Sequence, residues 1–138
     1  MRNILITIML ACPALGLISA AICGLEMRAF LARTLRIENI QDMERLKRLV
    51  AWQMYFALAQ FPILGLPPIA FMLGFVTHQL GILHIAYIVL PSLVVIAVSL
   101  GAIKPLETRV KALPVDDAFY AEFQNVVDTW MNKPFPDW

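Results

Sequence analysis

The chain has 138 residues, 60% hydrophobic and only 15% charged, with 11 Lys and Arg against 10 Asp and Glu for a net charge of +1. Soluble domains carry about 25% charged residues and scatter them to solvate each surface element, so this composition argues against an ordinary water-soluble fold. A balance so close to neutral gives no reason to expect nucleic acid as a partner.

The placement of the charge says more than its sum. Every acidic residue, and every basic one except Arg2, falls in Glu26–Leu49 or Lys104–Trp138. Asn3–Leu25 and the 54 residues of Val50–Ile103 contain no Asp, Glu, Lys or Arg. The pattern predicts an all-α integral membrane protein. Its parts would be three transmembrane helices, a cytoplasmic helical hairpin extension and an amphipathic C-terminal helix.

Residues 1–25 form the first unit. About 20 residues cross the roughly 30 Å hydrocarbon core, so Ile4–Leu25 makes one crossing. Met1-Arg2-Asn3 and Ser19-Ala20-Ala21 would also pass as the ends of a signal peptide. Cleavage would leave the six basic residues of Glu26–Leu49 outside, so the helix is expected to be retained. Cys12, Gly16, Ala20 and Gly24 recur every four residues, a strip that lets a partner helix approach closely. Cys12 and Cys23 would lie about 16 Å apart on one helix, too far to pair. They read as small apolar residues.

Residues 26–49 form a basic helical loop of net charge +2. Helix formers carry the first helix on to about Ile37. Asn39 then reads as an N-cap with Asp42 at the third position, a variant capping box. The helix it opens sets Ile40, Met43, Leu46 and Val50 on one side as an apolar seam.

Residues 50–103 would be roughly 80 Å long as one helix, which is two crossings and a turn. Thr77-His78-Gln79, closely followed by Gly81, is the natural hairpin, giving spans of about 50–76 and 80–103. Pro62, Gly65, Pro67 and Pro68 predict a break in the second span, because each proline removes an N–H and crowds the carbonyl four residues back. A plain kink, or a re-entrant piece after Leu66, is favoured over an unwound segment lining a site. Gln53 and Gln60 share a face that should look towards another helix, since an amide in hydrocarbon needs a partner. Ala97 and Gly101 repeat the small-residue spacing. His78 and His84 do not share a face and have no acidic or cysteine neighbours nearby, so no metal site is expected. No ionisable group lies deep in the spans, which argues against a proton or ion relay within this chain.

Residues 104–138 form an acidic, aromatic-rich tail. Lys104–Leu113 resumes the helix and Pro114 ends it. Asp116 and Asp117 then start a helix of about 116–131, where carboxylates cap the first N–H groups. Phe119, Phe123, Val126, Val127 and Trp130 follow the rhythm of one helix face, and Phe135 and Trp138 close the chain as a docking end. From Ala112 onward the tail carries one basic and five acidic residues. An anionic lipid surface repels such a helix, so it is expected to pack on the basic hairpin or on a basic partner.

With three spans, one side of the bilayer holds Arg2 alone and the other holds ten basic residues. Excess Lys and Arg remain cytoplasmic, which predicts a multi-pass protein of the bacterial inner membrane, N-terminus outside and C-terminus inside. No nucleophile–base pair, Gly-rich phosphate loop or metal cluster stands out, so neither enzymatic activity nor a cofactor is expected. The expected function is a small non-catalytic accessory or assembly subunit of a larger membrane complex. Its partners would be the lipid bilayer and other membrane subunits, in a hetero-complex rather than a homo-oligomer. The alternative is a transporter or pore component with the proline-rich helix lining the path. The three-span layout is similar to one class of holins in topology alone, and the acidic, helical tail departs from the short basic tails of that class.

Overall fold

A computed structural model describes all 138 residues. Helix α1 spans Arg2–Arg33 and α2 spans Ile40–Val76. A third rod, Ile82–Lys111, follows a tight turn. It consists of a 3-10 turn (Ile82–Ile85), α3 (Ala86–Val98), a π-turn (Ser99–Ile103) and α4 (Lys104–Lys111). Helix α5, Asp117–Asn132, completes the chain. There is no β-strand, and α1, α2 and the rod are each long and apolar enough to cross a membrane.

At 1.5 Å per residue the three are roughly 48, 55 and 45 Å long, well beyond a hydrocarbon core of about 30 Å. The excess lies at the charged end, where Glu26–Arg33, Ile40–Leu49 and Lys104–Lys111 run past the apolar segments to form a head. α1 packs on both α2 and α3, while α2 and α3 barely meet. Burial of the most apolar window falls from 33% in α1 to 17% in α2 and 6% in the third rod, so the rod is the most open element.

The larger core lies in the head. Met27 and Phe30 of α1, Met43, Leu46, Leu49, Val50 and Met54 of α2, Leu106 and Val110 of α4, and Phe123 and Val126 of α5 surround Ile37. A smaller core of Leu5, Met9, Ala70, Phe71 and Leu80 closes the opposite end.

Local chemistry explains several boundaries. Asn39 caps α2, its Oδ1 accepting from the Asp42 N–H at 2.9 Å, which satisfies a donor that has no partner inside the helix. Thr77–Gly81 forms the turn, with His78 at φ 54°. Gln79 and Leu80 both donate backbone N–H groups to the Gly74 carbonyl, at 2.9 and 3.0 Å. Gly74 is needed there, because a Cβ would collide with Leu80. Pro105 has no N–H for the Gly101 carbonyl, and the register slips to the π form, with the Lys104 N–H donating to Ser99 O.

Four expectations are corrected. α1 ends at Arg33 rather than near Ile37, and Thr34 is extended. Beyond it Ile37 bridges to Val115. Its N–H donates to Pro114 O and its carbonyl accepts from the Asp116 N–H, both at 3.0 Å, so this non-helical backbone is satisfied by the α4–α5 connector. Ile40 is exposed while Met43, Leu46 and Val50 are buried. At about 100° per residue, Met43, Leu46 and Val50 fall within about 60° of one another, whereas Ile40 lies about 60–120° from them, at the edge of the seam. The third rod begins at Ile82, because Leu80 folds into the outer core instead.

The fourth correction concerns the re-entrant and unwound forms considered at Pro62, Gly65, Pro67 and Pro68, and not a plain kink. α2 is helical without interruption from Ile40 to Val76. The prolines deprive the carbonyls of Leu58, Ile63 and Leu64 of helical donors, yet no unwound or re-entrant stretch results. Pro67 is buried, whereas Pro62, Gly65 and Pro68 are exposed.

Candidate functional site

The residues singled out above fall at three places: the head, the contact between apolar helices, and surfaces the chain leaves open. In the head, α5 lays Phe123 and Val126 into the core, with Phe119, Val127 and Trp130 packed partly against it. Charge orients the contact. Lys47 Nζ lies 2.5 Å from Glu122 Oε1 and 3.4 Å from Glu44 Oε1. The hydrogen bond to Glu122 raises the Lys47 pKa above its ordinary value against a smaller opposing effect of burial. Arg36 Nη2 lies 3.0 Å from Asp116 Oδ1, and Lys111 Nζ stands 4.7 Å above the Trp130 ring, a cation–π contact. The acidic tail therefore packs on the basic hairpin of its own chain.

Asp116 departs from its expected role. It occupies the N-cap position of α5, but its side chain makes no capping hydrogen bond and accepts from Arg36 instead. Phe135 and Trp138 are exposed and so do not dock on the head of their own chain. What folds back is Asp137, which pairs with Lys133 and accepts from Thr129 Oγ1 at 2.9 Å. These two partners hold its carboxyl below the ordinary range, the Lys133 bond contributing most.

Between the apolar helices, Gly16 and Ala20 are buried, whereas Cys12 and Gly24 are half-buried. A Cβ on Gly16 would meet Gln60, Ile63 and Val95 at 3.5–3.8 Å, so both neighbouring elements close on this residue. Gln60 Nε2 donates to Ser19 Oγ at 2.5 Å, and Gln53 Nε2 donates to the Cys23 carbonyl at 3.2 Å. Both amides thus clamp α2 to α1. His84 Nδ1 accepts from the Gly81 N–H at 3.2 Å, while His78 is exposed. No three His, Cys, Asp or Glu residues are grouped as metal ligands would be.

Two open surfaces remain. Ala97 and Gly101 are exposed, and nothing lies within 4 Å of a Cβ placed on Gly101. A groove of about 610 Å³ lies between α1 and α2 where the head meets the apolar zone. Sequence reasoning missed Ile37, Thr129 and Gly74. Thr129 follows Val126 by three residues, so its place on the buried face was readable, but its bond to Asp137 was not. Ile37 and Gly74 depend on pairings distant in space, for which no local signal exists. Comparison with known proteins gives no family model, curated protein or solved structure that matches this chain.

Proposed function

We propose that this chain is a small non-catalytic accessory or assembly subunit of a larger membrane protein complex. It sits in a bacterial inner membrane with its N-terminus outside and its head in the cytoplasm. The observation that carries the reading is the open face of the third rod. Val95 is the only buried residue of α3, and the Ala97–Gly101 pair lies uncovered. Small residues four apart are of little use against lipid but allow a second helix to approach. The tail helix, by contrast, is already engaged within the chain, which leaves Tyr120 on it and Phe135 and Trp138 beyond it as exposed aromatic residues.

The alternative, a transporter or pore component with the proline-rich second helix lining the path, draws less support from an α2 that is helical throughout. The test is purification from the native membrane in mild detergent, comparing wild type with Gly101→Leu. A defined heteromeric partner that is lost in the variant, with helix content and thermal midpoint unchanged, supports the reading. A lone chain or homo-oligomer in both samples refutes it. Cysteine labelling at Asn39 and His78 tests topology separately, with label from outside reaching His78→Cys and not Asn39→Cys.

A further inference from the structure

The groove between α1 and α2 has an ordered chemistry along its length. Arg33 of α1 and Arg45 and Arg48 of α2 line it together with Trp52 and Tyr55. On α2 these residues are spaced 3, 4 and 3 apart, so they share one face, which crosses the start of the charge-free run at Val50. Guanidinium groups therefore lie on the head side and aromatic rings on the apolar side. Three cations face one carboxylate, Glu26. Arg45 is 3.5 Å from Asp42 Oδ1, whereas Arg33 and Arg48 form no ion pair within the chain. Thr34 also lines the groove, and its hydroxyl is buried without a hydrogen-bond partner. A buried, unpaired hydroxyl is costly, but this one is closed off from the groove and adds nothing to its chemistry.

We infer that this groove binds an anionic phospholipid. The phosphate is held by Arg33, Arg45 and Arg48, and the acyl chains run along Trp52 and Tyr55. Arg suits phosphate because its planar fork donates two parallel hydrogen bonds. Trp and Tyr prefer the depth at which headgroup gives way to hydrocarbon. A soluble phosphate compound would use the guanidinium end but not the aromatic one. The inference rests on the membrane reading above, since only a chain at the bilayer surface meets such a ligand there.

The full-length protein in mild detergent is titrated with phosphatidylglycerol, phosphatidylcholine and inorganic phosphate, with lipid-bound species counted by native mass spectrometry. Phosphatidylglycerol should bind in preference to phosphatidylcholine, and millimolar phosphate should not displace it. Removing two guanidinium groups in Arg33→Gln/Arg48→Gln should weaken binding roughly thirtyfold, about fivefold for each. The control pair Arg28→Gln/Arg109→Gln, outside the groove, should leave binding unchanged. Arg48→Lys, which keeps every charge but loses the planar fork, should weaken it several-fold and covers the case in which the double variant fails to fold. Equal binding of the two lipids, displacement by inorganic phosphate, or equal loss in the control pair overturns the proposal. Carbonate extraction separates the two claims. Release into the soluble fraction defeats the membrane reading itself, whereas retention without lipid preference defeats only this inference.

Discussion

The head and the apolar zone are both helical, but they are held together by different means. The head gathers four helices and the Ile37 loop around a continuous apolar core with charged groups at its rim. The apolar zone has a small core at its far end. Along its length it relies on a glycine that admits close approach and two glutamines bonded to α1. On the membrane reading proposed above, the difference follows from the solvent. Water drives apolar side chains together, whereas lipid tails are as apolar as the side chains, leaving close packing and hydrogen bonds to select the contact.

The largest expected effect comes from breaking the head. Phe123→Ala should destabilise the protein by about 3–5 kcal/mol, read as a lowered thermal midpoint in mild detergent. Truncation after Leu113 should go further, uncovering the core that α5 covers and causing aggregation. Next comes the apolar zone. Gly16→Leu should cost about 1–3 kcal/mol through overpacking against Gln60, Ile63 and Val95, with loss of α1–α2 proximity in cross-linking.

Much of this division is legible in the sequence. The charge-free runs mark the three apolar helices, Asn39 marks the start of α2, and the spacing of Phe123 and Val126 marks the tail's inner face. Where the reading failed, tertiary partners decided the outcome. Asp116 has the chemistry of a cap but lies beside Arg36, 80 residues away in sequence. Pro62, Pro67 and Pro68 could have unwound the backbone or turned it back, yet α2 remains helical through all three. Phe135 and Trp138 stay exposed and open to a partner, while Asp137 between them contacts Thr129 and Lys133.

Smaller effects sharpen the contrast. Gln60→Leu should cost about 0.6–2 kcal/mol, in the range of hydrogen bonds between helices in lipid. A double-mutant cycle with Ser19→Ala measures the pair directly. In the head, Glu122→Gln should cost less than about 1 kcal/mol, because the carboxylate it removes is partly exposed. Titration should show the sign of these contacts. The Lys47 pKa is raised above 10.5, so its contribution is full below that value and lost as pH rises through the folded value. The Asp137 pKa is lowered below 3.8, so its contribution is present above that value and lost as pH falls through the folded value. Neither contribution changes between about pH 5 and 9, so Lys47→Met and Asp137→Asn should each lower the thermal midpoint by a constant amount across that window in a pH series of melting curves.

The most direct test of the central claim is a matched pair of substitutions. Val126 in the head and Val95 in the third rod are 1% and 4% exposed, and each loses the same two methyl groups on replacement by alanine. With the apolar zone in lipid, Val95→Ala forfeits packing alone, whereas Val126→Ala forfeits packing and burial from water. Thermal unfolding of both variants in lipid nanodiscs should show the larger fall in midpoint for Val126→Ala. An equal or larger fall for Val95→Ala would contradict the account.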